Sequence, residues 1–383
     1  PPVARVVRTV LLLLAATAAP CPGAAEAPAA AAPGAFPSDP AVLRHYLTAR
    51  LHEEREMDAE ALEEYLRALE LDPGRAAIER RIGEVSARLG DTRRALEYAR
   101  RALEHEPGDA RSHWLAGSSL FNLGRPTEAL VSLRAAVAAD PGQAIYWRTV
   151  ARVADALEQV DEAALAWRRV VELDDADGEA WFQFAAAEAR LGHFETADSL
   201  LAEAAALNPV RPGILFLRGW VQEGLGRPGE AVELYREHLR AHPDDQATRR
   251  RLVNLLARDG RHAEAYREAI LVRRAHPGDP EAVGVEADLA LFVGEAARAA
   301  ELLDQLQAAA PDDPTPVMQA AGILSSHGRA REALARTEAW AAAHPGDYRG
   351  VLLVARGHSD AGDTAAAVAA ARRAVAMAPD SLA

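Results

Sequence analysis

The sequence predicts an all-α protein built from tandem helix-turn-helix repeats of 34 residues. Three observations predict this fold class. Alanine dominates a chain of 383 residues in which aromatic residues make up only 5%. Strand-forming residues nowhere alternate with polar ones, and one proline and one alanine recur with a fixed period of 34 residues. Such periodicity is typical of an elongated array, whose length is set by the number of repeats.

The recurring proline fixes the boundaries of the units. Nine prolines share the 34-residue spacing: Pro73, Pro107, Pro141, Pro209, Pro243, Pro277, Pro311, Pro345 and Pro379. Asp175 occupies the one missing place in the series. With this proline at position 32, the ten units start at residues 42, 76, 110, 144, 178, 212, 246, 280, 314 and 348, without any insertion.

Small residues at two positions predict a close contact between the two helices of each unit. Position 20 is alanine in all ten units: Ala61, Ala95, Ala129, Ala163, Ala197, Ala231, Ala265, Ala299, Ala333 and Ala367. Position 8 is alanine or glycine in nine units and valine, Val253, in the other. Two packed helices approach to about 8–10 Å only where their contact is made by small side chains.

Helix stops and starts follow the same period. Position 15 is glycine in eight units and glutamate, Glu56 and Glu158, in the other two. Glycine there ends the first helix in the left-handed conformation, which strains other residues. Position 34 is aspartate in six units, where it is expected to cap the first helix of the next unit: Asp109, Asp177, Asp245, Asp279, Asp313 and Asp347.

The combination of a small residue at 8, glycine at 15, alanine at 20 and proline at 32 resembles the signature of the tetratricopeptide repeat family. The resemblance covers residues 42–381, and it extends to exported bacterial members of the family. It implies a right-handed α-solenoid of about ten repeats, whose first helices line a concave groove. It also implies a non-enzymatic scaffold for protein-protein interaction, with no cofactor. The family's aromatic at position 4 survives only as Trp147 and Trp181.

Positions 2, 5, 9, 12 and 13 of each first helix are expected to face that groove. Aromatic residues and arginines at exposed positions often anchor a partner, because they combine large area with directional contacts. The densest group of such residues, with one asparagine, lies in repeats 3 to 6: Arg111, Trp114, Phe121, Asn122, Arg148, Arg152, Phe182, Phe216 and Trp220. The alternative is that some of these aromatics pack against the adjacent repeat.

Arg250 and Asn254 extend the predicted surface into repeat 7. They match the first half of the carboxylate clamp found in chaperone-binding members of the family. Val285, Thr315 and Gln319 occupy the remaining clamp positions. The groove is therefore expected to hold a protein or peptide segment, but not a chaperone tail.

Charge and composition narrow the classes of partner and of chemistry. The net charge of −14 repels a polyanion, which argues against nucleic acid as the main partner. Cys21 is the only cysteine, so neither a disulfide framework nor a cysteine-based metal site is expected. His238 and His242 share one helix face, but no third metal ligand is indicated. No catalytic constellation stands outside the repeat pattern, and we expect no enzyme activity.

Residues 1–25 have the order of a secretory signal peptide, and residues 26–41 that of an Ala/Pro-rich linker. Arg5 and Arg8 precede a short apolar run that ends in small residues, with a cut expected before Glu26 or after Ala18. A periplasmic or secreted location follows. Two alternatives remain: acylation of Cys21, which would make a lipoprotein, and an uncleaved membrane anchor facing the periplasm.

The leading interpretation is an exported scaffold that binds protein segments during envelope assembly or secretion. The alternative is a carbohydrate-handling module that accompanies exopolysaccharide export, in which groove aromatics would stack on sugar rings. The last repeat presents Val368, Val375 and Met377 on the face where a further helix would stack. We therefore expect either a longer chain or a partner over that face.

Overall fold

The structure, a computed structural model, describes residues 39–378 of the chain. These residues form twenty α-helices and no strand, which confirms the predicted fold class. In chain order the helices are α1 (Pro40–Glu54), α2 (Asp58–Leu71), α3 (Ala76–Arg88), α4 (Thr92–His105), α5 (Ala110–Asn122), α6 (Pro126–Ala139), α7 (Ala144–Ala156), α8 (Val160–Leu173), α9 (Gly178–Arg190), α10 (Phe194–Leu207), α11 (Ile214–Gly224), α12 (Pro228–Ala241), α13 (Gln246–Arg258), α14 (His262–Ala275), α15 (Pro280–Phe292), α16 (Ala296–Ala309), α17 (Pro314–Ser326), α18 (Ala330–Ala343), α19 (Tyr348–Asp360) and α20 (Thr364–Met377). The predicted signal peptide, Cys21, the linker up to residue 38 and Pro379 lie outside the described residues.

Consecutive helices pack as pairs, and the pairs form ten helix-turn-helix repeats numbered 1 to 10 along the chain. The chain divides between Asp140 and Pro141 into two compact units. The first unit holds repeats 1–3 (α1–α6), and the second holds repeats 4–10 (α7–α20). Each unit is described by itself below.

The predicted contact between positions 8 and 20 is confirmed. Nine of the ten alanines at position 20 are fully buried, and Ala367 of the last repeat is half-buried. A Cβ atom added to Gly117 would lie only 3.0 Å from the backbone oxygen of Ala129. Glycine and alanine at these positions therefore set how closely the two helices of a repeat can approach.

The turns within the repeats use the left-handed conformation that the sequence predicts. All eight glycines at position 15 have positive φ angles, between 71° and 85°. The two exceptions adopt the same conformation, Glu56 at φ 59° and Glu158 at φ 57°. The turn geometry is therefore kept even where glutamate has to accept a conformation that its Cβ disfavours.

The predicted aspartate caps are all present. The side chains of six aspartates at position 34 accept hydrogen bonds from backbone N–H groups in the next first helix: Asp109, Asp177, Asp245, Asp279, Asp313 and Asp347. Six of the ten first helices therefore begin at an aspartate that belongs to the preceding 34-residue unit.

Two first helices begin elsewhere than predicted. Helix α1 begins at Pro40, inside the predicted linker, because Asp39 accepts a 2.7 Å hydrogen bond from the backbone N–H of Ala41 and proline suits the first helical position. Helix α11 begins at Ile214, two residues after the predicted start of its unit. Gly213 precedes it in the left-handed conformation (φ 83°), which a helical start at Pro212 would not allow.

The last repeat keeps its predicted apolar face uncovered within the described residues. Val368 is 47% exposed, Val375 50% and Met377 36%. Among the described residues, every helix is too short or too polar to cross a membrane.

Candidate partner-binding surface

All eleven residues predicted to bind a partner lie on first helices, and each is half-buried or exposed. Four belong to α5 in the first unit: Arg111, Trp114, Phe121 and Asn122. Seven belong to α7, α9, α11 and α13 in the second unit: Arg148, Arg152, Phe182, Phe216, Trp220, Arg250 and Asn254. We call the side of the first helices formed by positions 2, 5, 6, 9, 12 and 13 the first-helix face.

A pocket of about 430 Å³ opens on the first-helix face between α7 and α9. Its lining residues are Arg148, Arg152 and Asp155 of α7, Trp167 of α8, and Glu179 and Gln183 of α9. The structure thus brings together two of the predicted arginines with four residues that were not predicted as site residues. Two cations, two carboxylates, an amide and an indole edge line the same opening.

Both carboxylates of this pocket are held by hydrogen bonds. Asp155 accepts one from the indole Nε1 of Trp167 and one from Arg190 Nη1, each 3.0 Å long. Glu179 accepts hydrogen bonds of 2.8 and 2.7 Å from Arg211 and one of 2.8 Å from Gln183. Both carboxylates are therefore engaged within the protein.

Arg211 also covers Phe182, one of the predicted residues. Its guanidinium carbon lies 3.2 Å from the centroid of the Phe182 ring, in a cation–π contact. The same guanidinium pairs with both oxygens of Glu179. The Arg211 side chain thus connects the loop that precedes α11 to α9.

We expect replacement of Arg211 by glutamine to raise the pKa of Glu179. The hydrogen bonds from Arg211 are the largest of the influences that hold this pKa below its ordinary value. A carboxyl whose pKa is lowered by folding stabilises the fold above its unfolded pKa, and this contribution is lost as the pH falls through the lower, folded value. In the variant that contribution should shrink, so acid unfolding should begin at a higher pH.

NMR titration of glutamate side chains measures this pKa directly. Replacement of Arg169, which pairs with Glu172 on α8, is the matched control and should leave the titration of Glu179 unchanged. An unaltered Glu179 titration in the Arg211→Gln protein would show that the pair seen here does not control the carboxyl.

The arginines at position 5 pair with the aspartate that caps the next first helix. Arg148 donates to Asp177, and Arg250 donates to Asp279. In the first unit, Arg80 donates to Asp109 over 3.0 Å. The hydrogen bond from Arg250 lowers the pKa of Asp279. Arg148 and Arg250 therefore join successive first helices, a role that their exposure and type alone did not indicate.

A second recurring arrangement, which we call the acid node, consists of an acid at position 12, a tyrosine or tryptophan at position 24 and an arginine at position 13 of the next repeat. The node of repeats 6 and 7 is centred on Glu223. Its carboxylate accepts a hydrogen bond from the Tyr235 hydroxyl and lies 2.6 Å from Arg251 and 3.3 Å from Arg258. Burial and the adjacent Glu223 raise the pKa of Tyr235 well above its ordinary value.

The other two nodes use the same positions. In repeats 4 and 5, Asp155 lies between Trp167 and Arg190, so this node forms one side of the α7–α9 pocket. In repeats 1 and 2, Glu53 lies 3.2 Å from Arg88, and burial followed by the charge of Glu53 raises the pKa of Tyr65.

The sequence contains signals for both arrangements. Arginine occurs at position 5 in three repeats, and each of these has aspartate at position 34. An acid occurs at position 12 only in repeats 1, 4 and 6, which are also the only repeats with tyrosine or tryptophan at position 24. Arginine occurs at position 13 only in repeats 2, 5 and 7, the next in order. Comparing columns of the repeat, rather than single positions, would have found the nodes.

Arg250 and Asn254 lie together in a smaller cavity of about 30 Å³ between α13 and α15. Glu281 and Val285 of α15 line its other side. This cavity repeats the geometry of the α7–α9 pocket, with positions 5 and 9 of one first helix facing positions 2 and 6 of the next. It is too small for more than a water-sized group.

The remaining predicted aromatics of the second unit differ in their surroundings. Phe216 packs against the core, with its ring centroid 5.8 Å from Tyr235 and 6.2 Å from His238. The Trp220 ring has the guanidinium of Arg251 5.5 Å from its centroid. Both of these ring contacts lie within repeat 6, between α11 and α12.

In the first unit, Arg111 pairs with Glu84 across α3 and α5. Trp114 and Phe121 are half-buried, and Asn122 is exposed. All four residues lie on α5 in the first unit, and none of them lines the pocket in the second unit.

His238 pairs with the aspartate that caps α13. Its Nε2 atom lies 2.8 Å from Asp245, the cap of α13, and its ring centroid lies 4.8 Å from that of His242. Over residues 39–378, no group of three or more histidine, cysteine, aspartate or glutamate side chains is arranged to hold a metal ion.

Comparison with known proteins agrees with the repeat architecture. Two family models, each described as tetratricopeptide repeat, match the chain, one at residues 81–144 and 182–246 and the other at residues 224–289. No curated protein sequence matches it.

Several solved structures are similar over part of the chain. YrrB, described as a tetratricopeptide repeat protein with an unusual peptide-binding site, is 23% identical, with a TM-score of 0.46 over 48% of this chain and 95% of its own. MamA of Desulfovibrio magneticus RS-1 is 20% identical, with a TM-score of 0.42 over 45% of this chain and 98% of its own. PilW, a type IV pilus biogenesis factor, is 20% identical, with a TM-score of 0.42 over 54% of this chain and 96% of its own.

The family matches agree with the 34-residue period of the sequence and with the twenty paired helices of the structure. Residues 81–144 and 182–289 match tetratricopeptide repeats, and the paired helices of residues 40–377 have the architecture of a tetratricopeptide-like solenoid.

Proposed function

We propose that this protein is an exported, non-enzymatic scaffold that binds a segment of a partner protein along its first-helix face. Tetratricopeptide repeats serve protein-protein interaction, which supports the class of function. The α7–α9 pocket is the observation that carries the proposal for this chain. It presents two arginines and an indole edge at one opening. Trp220, on the next first helix, α11, also has an exposed part.

Export rests on the amino-terminal sequence. Residues 1–25 combine Arg5 and Arg8 with a short apolar run and small residues, the order of a signal peptide. A mature chain without cysteine suits an oxidising compartment. A role in envelope assembly or secretion follows if the partner is also an envelope protein.

Affinity capture with the full chain tests both parts of the proposal. We expect a discrete partner from an envelope extract and none from the cytosolic extract of the same cells, identified by mass spectrometry. Single alanine variants of Trp114, Arg148, Arg152 and Trp220 should weaken capture at two or more positions. The expected loss is about fivefold or more, because such residues anchor interfaces.

Helicity measured by circular dichroism is the control, since the variants have to remain folded. Arg169→Ala, on the second helix α8, should capture the partner as well as the unaltered protein does. Undiminished capture by all four variants would place the interface on another face. Amino-terminal sequencing that found residues 1–25 retained in the inner membrane would contradict signal-peptide cleavage.

A further inference from the structure

The first-helix face of repeats 4 to 7 is basic, although the chain is acidic. Its positions carry six arginines: Arg148, Arg152, Arg190, Arg250, Arg251 and Arg258. The same positions carry three carboxylates: Asp155, Glu179 and Glu223. The whole chain, in contrast, has a net charge of −14. The following repeats, 8 to 10, do not continue this excess, since their corresponding positions hold two arginines and three acids.

The three carboxylates of this face are engaged by the protein. Asp155 is held by Trp167 and Arg190, Glu179 by Arg211 and Gln183, and Glu223 by Tyr235 and two arginines. A neutralised carboxylate repels an incoming anion less than a free one does. The arginines are paired as well, Arg148 with Asp177 and Arg250 with Asp279. At Glu223, however, two guanidinium groups, those of Arg251 and Arg258, share one carboxylate, so positive charge is in excess there.

The basic residues are concentrated at two acid nodes, two repeats apart. At the first, Arg190 belongs to the node, and Arg148 and Arg152 line the pocket that Asp155 and Trp167 complete. At the second, Arg258 is 72% exposed and only its ion pair with Glu223, at 3.3 Å, ties it down. Guanidinium groups at such places offer forked N–H donors to carboxylates.

Between the two nodes the face is partly aromatic. Phe182 and Phe216 are half-buried, and Trp220 keeps an exposed part beside Arg251. An apolar side chain of a ligand would find contacts here.

We propose that the first-helix face of repeats 4 to 7 selects an acidic segment of a partner protein, with carboxylates at the two nodes and an apolar side chain between them. The proposal rests on the function proposed above and specifies its ligand. Arg152 and Arg258 are the specificity-determining residues, since Arg152 lines the pocket beside the first node and Arg258 is the exposed arginine of the second.

Selection from a random library of 12-residue displayed peptides on the immobilised full chain provides the test, followed by fluorescence anisotropy. The defined probe carries two Asp-Glu pairs on either side of a central phenylalanine, and its counterpart replaces the acids by Asn and Gln. We expect acidic peptides to be enriched and the acidic probe to bind about tenfold more tightly than its amide counterpart. Binding should weaken between low and moderate salt, because exposed charges are screened.

Variants of Arg152 and Arg258, with one matched control, show whether these residues select the acidic probe. Arg152→Gln and Arg258→Gln should each weaken binding of the acidic probe about three- to tenfold, and the double variant should lose more than either. Arg258→Glu should weaken it further, because it reverses a charge at an exposed side chain. Arg169→Gln removes an exposed arginine from α8 and should change nothing.

The outcomes separate the two proposals. Enrichment of neutral or basic peptides that still depend on the first-helix face would overturn acidic selection and leave the proposed function standing. A single-stranded oligonucleotide that bound where the acidic probe did not would also overturn it. Failure to enrich any peptide whose binding depends on this face would contradict the proposed function itself.

Discussion

Replacement of Gly219 by alanine should lower the free energy of unfolding by about 1–3 kcal/mol, although alanine normally favours a helix over glycine. A Cβ atom at Gly219 would lie 2.6 Å from Cε1 and 2.8 Å from Cδ1 of Tyr235. The Tyr235 ring cannot move aside easily, because it is fully buried and its hydroxyl is bonded to Glu223. The two helices of repeat 6 would have to separate instead.

The matched control is Gly322→Ala on α17, another glycine inside a first helix. Nothing lies within 4 Å of the added Cβ, so this change should stabilise the protein by about 0.5–1 kcal/mol through helix propensity. Denaturant unfolding followed by circular dichroism, with hydrogen exchange in α11 and α17, measures both. If the two variants changed stability in the same direction, close packing at position 8 would not be what selects glycine in repeat 6.

Removal of the Glu286 side chain by alanine should destabilise the protein by about 3–5 kcal/mol, the cost of breaking a buried ion pair from one side. Glu286 is 1% exposed and pairs with Arg273 of α14 and, at 3.2 Å, with Arg298 of α16. Arg273 is itself largely buried, so the variant would leave its charge without compensation.

Glu301→Ala serves as the comparison, because Glu301 pairs with the same Arg298 but is 68% exposed. It should cost about 1 kcal/mol or less, as surface ion pairs do. Thermal and denaturant unfolding of both proteins would be compared. An equally mild effect of the two changes would indicate that water reaches Arg273 and replaces the missing carboxylate.

The backbone of this fold was predictable from its sequence, because the residues that start and stop helices act locally. Glycine at position 15 and aspartate at position 34 determine conformations within a few residues of themselves, and their turns and caps are found where expected. Even Glu158, which stands in place of the glycine, adopts the same left-handed turn.

The candidate site was predictable only in part. Exposure and residue type indicated Arg148 and Arg152, which do line the pocket. The partners of these arginines come from other helices, 24 or more residues away along the chain for Asp177 and Glu179. Glu286 is buried, at 1% exposure, by its contacts with neighbouring helices, which its own position in the repeat does not indicate. Single positions of the sequence therefore do not show which residues interact between repeats.

The pairing of Arg148 with Asp177 couples the fraying of α7 to the fraying of α9. Asp177 caps α9 through the backbone N–H groups of Glu179 and Ala180, and it also receives the guanidinium of Arg148 from α7. If α7 frays, the cap of α9 loses its support, and if α9 frays, Arg148 loses its counter-ion. In a linear array of repeats, this pairing increases the stability that comes from contacts between neighbouring repeats relative to the stability of each repeat alone. Adjacent repeats joined in this way should fold and unfold as blocks, so that the length of a cooperative block along the chain is set by where the position 5 arginines fall.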